Sequence, residues 1–200
     1  MQESPIVETV DGRVARRQRN IDAVIDVVLE MFAEESMLPT IEQAAARSGL
    51  SLRSLYRYFA DPGELMEATI KRSNERAEEV ARLHAIGEGR LDRRIDDFVD
   101  MRLRLYDLVG PVFRATVVNA ARHATIRDEL ARTRTRLREQ FERQFAPELA
   151  ARKPDDRRSV STAGDLLTQL DSLDHLRRHR RLSVAEVRTT LTATLHTLLG

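Results

Sequence analysis

Within eight residues, Ser51-Leu52-Arg53-Ser54-Leu55-Tyr56-Arg57-Tyr58 gathers two guanidinium groups and four hydroxyls. That inventory suits nucleic acid: arginine can bond guanine O6 and N7 together, and hydroxyls reach phosphates or base edges. On a helix, Leu55 and Phe59 face inward, four apart, and Leu52, Arg53, Ser54, Tyr56, Arg57 and Tyr58 spread over the exposed arc. No rival chemistry is as well supplied. Cysteine is absent, which removes disulfides, thiolate metal sites and cysteine nucleophiles. No Gly-rich phosphate loop, nucleophile elbow or zinc spacing occurs. Asp96 and Asp97 are adjacent, so on a helix they point apart and make a poor acid–base pair. His175 and His179 have a spacing that can meet on one metal, but Arg177, Arg178, Arg180 and Arg181 around them repel a cation. That basic run reads as the solvated, dipole-compatible end of a helix. The expectation is a protein that is not an enzyme, with no cofactor and no metal.

Local signals place the Ser51–Tyr58 segment on a third helix. Apolar residues recur at Ile21, Val24, Ile25, Val28, Leu29 and Phe32, which predicts a first helix over about 16–35. Thr40-Ile41-Glu42-Gln43 is a capping box opening a short second helix, the small Ala44, Ala45 and Ala46 permit close packing, and Gly49 can end it in a left-handed conformation. Ser51 then caps the third helix, and two short helices joined by a tight turn make a helix-turn-helix. Asp61-Pro62-Gly63-Glu64 opens a fourth helix reaching about His84. After Gly87 and Gly89, a fifth stripe from Leu91 to Val109 is expected to end at Gly110-Pro111. A sixth helix covers 111–122, and Ile126, Leu130, Leu137, Phe141 and Phe145 mark a seventh to about Leu149. Lys153-Pro154-Asp155-Asp156 reads as a loop. Ala163 to Leu176 stripes an eighth helix, and the capping box Ser183-Val184-Ala185-Glu186 opens a ninth. No useful strand-like alternation appears, so the class is all-α with about nine helices. Residues 1–12 lack periodicity and a basic run follows, so 1–15 reads as a flexible arm, 16–60 as the helix-turn-helix domain and 61–200 as a C-terminal domain.

Bulk composition bounds the setting without locating the site. With 42% hydrophobic and 32% charged residues, the chain has material for a core but no apolar run long enough to span a bilayer. No membrane association is expected, and a cytoplasmic location is. The formal charge of +1 hides an asymmetry: residues 1–70 hold seven Arg against twelve Asp and Glu, so the excess of cations lies in the remainder. Phosphate affinity depends on cations clustered on one face, so placement decides and net charge does not.

Ile25 to Phe32, Thr40 through Ser51, and Leu55-Tyr56-Arg57-Tyr58-Phe59 followed by Leu65 together resemble the DNA-binding domain of the TetR family. The resemblance implies that Tyr56 holds a phosphate and that Leu52, Arg53, Ser54 and Tyr58 face the major groove, with Arg53 first in line for a base contact. The start of the second helix commonly touches phosphate in that family. For Thr40 and Gln43 capping alone is the other explanation, for Arg47 simple solvation. The arm Arg13–Arg19 either follows the DNA or is merely solvated. Two positions depart from the family pattern. Pro62 stands where members usually carry a phosphate-gripping Lys, and Ser36 where they carry Gly.

One helix-turn-helix offers too few contacts for a selective site, so a homodimer on a palindromic operator in double-stranded DNA is expected. The family resemblance implies that the last two helices pair about a two-fold axis through Leu166, Leu170, Leu173, Leu191, Leu195 and Leu198. An ordinary intrachain core is the competing explanation of those stripes. It also implies a cavity among helices four to eight for a small-molecule effector, which Phe98, Met101, Leu105, Phe113 and Val117 could line unless they are plain core. The implied function is a transcriptional regulator, a repressor released from its operator by a small molecule. The alternative is a similar regulator controlled by a protein partner or by abundance.

Overall fold

A computed structural model describes residues 6–34 and 39–200; among these there is no strand. The helices are α1 (Ile6–Glu34), α2 (Ile41–Ser48), α3 (Leu52–Tyr58), α4 (Pro62–Val80), α5 (Leu91–Asn119), α6 (Ala124–Gln144), α7 (Ala146–Ala150), α8 (Pro154–Thr168), α9 (Leu170–Asp174) and α10 (Val184–Leu199), with a π-helical turn at His175–His179. The all-α expectation holds. Ser36 lies outside the described residues.

The four predicted starts are built as their side chains dictate. Thr40 and Gln43 satisfy each other's backbone N–H groups at 3.2 and 2.8 Å, Ser51 Oγ accepts from the Ser54 N–H at 3.2 Å, Asp61 Oδ1 accepts from Glu64 N–H at 3.0 Å, and Ser183 pairs with Glu186. Each such cap is worth about 1 kcal/mol. Gly49 takes φ +70°, the left-handed stop that a side chain resists. Val24, Ile25, Val28 and Phe32 of α1 join Ile41, Ala44, Ala45, Leu55 and Phe59 in a core that continues without a gap into the C-terminal helices. α4 packs on both α1 and α5, and α5 runs through the middle, touching α6, α9 and α10 as well.

There are four departures from the sequence reading, and in those beyond α1 tertiary packing outweighs local signals. α1 starts at Ile6, inside the stretch read as a flexible arm. Residues 12–19 are exposed, so no partner imposes a periodic stripe there. Gly110-Pro111 does not end the fifth helix, because the residues around it, Tyr106, Val109, Val112, Phe113 and Thr116, are all buried. That burial offsets the ~3 kcal/mol cost of an interior proline. The expected seventh helix breaks at Phe145: Pro147 has no N–H to continue it, and Arg94 Nη1 takes the Gln144 carbonyl at 2.7 Å. Finally, 153–156 is no loop, since Pro154 occupies the first turn of α8, and the expected eighth helix breaks instead at extended Gln169. Gln169 Nε2 donates to the Arg134 carbonyl at 3.2 Å, and the break swings Leu170 and Leu173 into the core.

α8 approaches α6 closely at Gly164, where a Cβ would stand 1.9 Å from the Phe141 ring. Phe141 in turn packs with Phe98 and Phe145, ring centroids 5.0 to 5.9 Å apart.

Candidate nucleic-acid interface

α3 is two-sided. Leu55, Tyr58 and Phe59 are buried, whereas Leu52, Arg53, Tyr56 and Arg57 are exposed on the opposite side. Ser51 and Ser54 sit at its N-terminal end with their hydroxyls 2.9 Å apart. Thr40 and Gln43 lie at the exposed start of α2. The two helices are linked on this face by Tyr56, whose hydroxyl donates to Glu42 Oε1 at 3.0 Å. That bond pushes the Tyr56 hydroxyl above the ordinary phenol range, and backbone, Thr40 and Tyr56 hydrogen bonds hold Glu42 below the usual carboxylate range. The sequence pattern did not single out Glu42, because its partner lies on another helix.

Two expected contact residues are placed otherwise. Tyr58 points inward: Asn20 donates to its hydroxyl at 3.2 Å, Arg57 at 3.4 Å, and the guanidiniums of Arg17 and Arg57 lie 5.7 and 5.4 Å from its ring centre. It ties α3 to α1 and presents no edge to a groove. Those two donors lower its pKa below the ordinary phenol value. Arg47 pairs with Glu34 across α2 and α1, Nη1 to Oε2 at 2.6 Å. Arg53 stays exposed and makes no ion pair among the described residues.

Part of the acidic excess of this region is neutralised in place. Asp22 and Asp26 of α1 pair with Arg72 and Arg76 of α4, the second at 2.6 Å. These two rungs, one turn apart on both helices, also couple α1 to α4. The start of α4, where Pro62 replaces the expected cation, presents the carboxylates of Asp61 and Glu64, the wrong charge for a phosphate. Arg13, Arg16, Arg17 and Arg19 are exposed on α1.

Between α4, α5 and α6 lies a cavity of about 240 Å³, lined by Asn74, Ala77, Ala81, Leu105, Val109, Leu137, Gln140 and Leu170, with Glu78, Arg136, Glu139 and Arg143 among its charged groups. Of the expected lining residues, Leu105 is here, and Phe113 borders an adjoining space of about 30 Å³. Phe98 and Met101 are buried in the core and Val117 is exposed, none of them on these cavities.

Leu170, Leu173, Leu191 and Leu195 are buried within the chain's own core and leave no surface for a second subunit. Leu166 is 66% exposed and Leu198 is half-buried. The side of α10 opposite its leucines carries exposed Ala185, Thr189, Ala193 and Thr197 at four-residue spacing. His175 and His179 stack at 5.7 Å, and among the described residues no group of three or more acidic or histidine side chains is placed to hold a metal ion. Among the same residues no helix is long and apolar enough to cross a membrane.

No family model matches the chain. Among curated proteins it is 34% identical over 87 residues to the HTH-type transcriptional regulator BetI of Escherichia coli, covering 42% of this chain and 43% of that protein. A BetI of Klebsiella pneumoniae is 35% identical over 86 residues, with the same coverage. The matched stretch therefore spans less than half the length of these relatives. Among solved structures, a TetR-family transcriptional regulator from Streptomyces coelicolor superposes with a TM-score of 0.71 at 21% identity, over 90% of this chain and 80% of that one. The multidrug binding protein EbrR, complexed with imidazole, gives 0.63 at 19% identity over 93% and 90%. At those identities the likeness speaks for the fold.

Proposed function

We propose that this chain, a TetR-family protein by its fold and by the helix-turn-helix residues it carries, is a sequence-specific DNA-binding transcriptional regulator. It acts in the cytoplasm as a homodimeric repressor that a small molecule releases from a palindromic operator. The observation that carries the reading is the two-sided α3: its buried residues anchor it, and Leu52, Arg53, Tyr56 and Arg57 stand clear on one exposed face after a capped α2. Arg53 reads a base. Tyr56 grips a phosphate by giving up Glu42, and Ser51, Ser54, Thr40 and Gln43 lie within the same footprint. Arg13, Arg16 and Arg19 extend the contact along the backbone, in place of the cation absent at Pro62.

The second copy docks on the exposed sides of α8 and α10. There Leu166 protrudes from α8, and α10 presents its small Ala/Thr face, where the Thr197 hydroxyl is already bonded to a carbonyl of its own helix. A small molecule in the 240 Å³ cavity moves α4, and the two Asp–Arg rungs carry that motion to α1 and its reading helix. EbrR, a multidrug binding protein by name, supports a small-molecule site on this fold.

The test is salt-dependent binding to the DNA upstream of the chain's own reading frame. Arg53→Ala is expected to lose about 1–3 kcal/mol at one base position and little elsewhere. Equal loss on every sequence makes Arg53 a phosphate contact, and absence of any sequence preference in the intact protein sinks the reading.

A further inference from the structure

Arg102, in the middle of α5, is fully buried, and no carboxylate among the described residues stands within ion-pair distance of it. Its Nη1 donates to Gln140 Oε1 at 2.6 Å and its Nη2 to the Leu137 carbonyl at 2.7 Å, and the group lies 4.6 Å from the Phe98 ring centre. Its Nε has no partner, and neither does Arg94 Nε, so the missing carboxylate is what sets Arg102 apart. Asp165 acts on it only at longer range and is itself bonded to Gln169. Burial lowers the guanidinium to about 9, which leaves it charged at neutral pH. A buried cation without a counter-ion is costly, and proteins retain one chiefly where something else supplies the negative charge.

Both acceptors of Arg102 belong to residues that wall the cavity between α4, α5 and α6. Gln140 stands between: it accepts from Arg102 and, through Nε2, donates to the carbonyl of Ala81 at the end of α4. The other walls near it, Leu105, Val109, Leu137 and Leu170, are apolar. Glu78 and Glu139 offset Arg136 and Arg143, so the inner guanidinium tips the balance of charge. The volume, about 240 Å³, lies below the ~300–1,000 Å³ usual for drug-sized ligands.

We infer that the cavity takes a small organic carboxylate, its apolar body against Leu105, Val109, Leu137 and Leu170 and its charged end displacing Gln140 to reach Arg102. This rests on the reading of the chain as a ligand-released regulator and names the class of effector. Arginine suits the task because its planar fork meets both carboxylate oxygens. Displacing Gln140 also breaks its bond to Ala81, so occupancy frees the end of α4, the helix tied to the reading head.

The experiment is thermal unfolding of the full chain with phenylacetate, and with phenylacetamide and phenethylamine as neutral and cationic analogues of the same shape. Phenylacetate at 100 times its Kd is expected to raise Tm by about 5–10 °C; the amide and the amine leave it unmoved. In Arg102→Met, shown to be folded by circular dichroism, the phenylacetate shift disappears. Leu105→Trp, which fills the cavity and keeps the charge, serves the same purpose should the methionine variant not fold. No shift with phenylacetate, an equal shift with the amide, a larger one with the amine, or a shift that survives in these variants overturns the inference. Operator binding is measured on the same samples. Selective DNA binding without a carboxylate shift refutes the effector class alone, whereas a carboxylate shift without selective DNA binding upholds the cavity and refutes the regulator.

Discussion

Arg94 and Arg102, two turns apart on α5, are both buried, and the fold treats them oppositely. Arg94 is closed off: it pairs with Glu148 of α7, Nη1 to Oε2 at 3.0 Å, takes the Gln144 carbonyl at 2.7 Å, and lies 5.9 Å from the Phe145 ring centre. Arg102 has amide and carbonyl acceptors and the face of Phe98, but no carboxylate. The aromatic trio Phe98, Phe141 and Phe145 lies between them, so both guanidiniums press on one packed unit. The difference separates two uses of a buried charge. Arg94 pins α7 where Phe145 breaks the helix, a structural task that ends with the chain itself. Arg102 is left with charge to share.

The sharpest way to break this comparison is to remove the partner that only one of them has. Glu148→Ala strands Arg94, whose own side chain is just 6% exposed, and chemical denaturation is expected to show a loss near the lower end of about 3–5 kcal/mol, because Glu148 itself reaches the surface. Next comes the unit they share. Gly164→Ala drives a methyl into the Phe141 ring and is expected to cost about 1–3 kcal/mol in the same assay. A cost near zero would show that the ring has room to move.

Arg102→Met is expected to lose no more than the ~1 kcal/mol of an average substitution, since the desolvation cost leaves with the charge. A loss as large as that of Glu148→Ala would make the two arginines equivalent and end the distinction. The smallest effect is a pH dependence. Below about 9 Arg102 is charged in both folded and unfolded chains, and the fold bears the full cost of burying it. As the pH rises through that value the folded state releases its proton first, so the wild type gains stability relative to Arg102→Met. Paired unfolding curves from pH 8 to 11 check the sign; a widening deficit of the wild type contradicts it.

The reading helix shows how far local signals reach. That Leu55 and Phe59 face inward and Arg53 outward follows from helical spacing, and the structure agrees. Tyr58, three residues after Leu55, lies on the inward side by the same spacing, and its polar hydroxyl masked this; Asn20 and Arg17, from a helix almost forty positions earlier, close over it. Arg47 and Tyr56 were likewise legible as polar surface groups but not as partners of Glu34 and Glu42.

Residue order alone settles whatever is decided within a turn or so of chain: the all-helical class, the starts at Thr40, Ser51, Asp61 and Ser183, and the stop at Gly49. Each of these satisfies backbone N–H groups or relieves a backbone angle with residues at most a few positions away. Packing between distant parts of the chain settles which surface covers each apolar stripe. It carried α5 through Pro111, turned Leu170, Leu173, Leu191 and Leu195 into the chain's own core and left Leu166 outside. It also placed Arg102 behind a cavity wall with no counter-ion. Periodicity states that one side of a helix avoids water, but burial and charge balance depend on groups far apart in the chain, and no spacing records them.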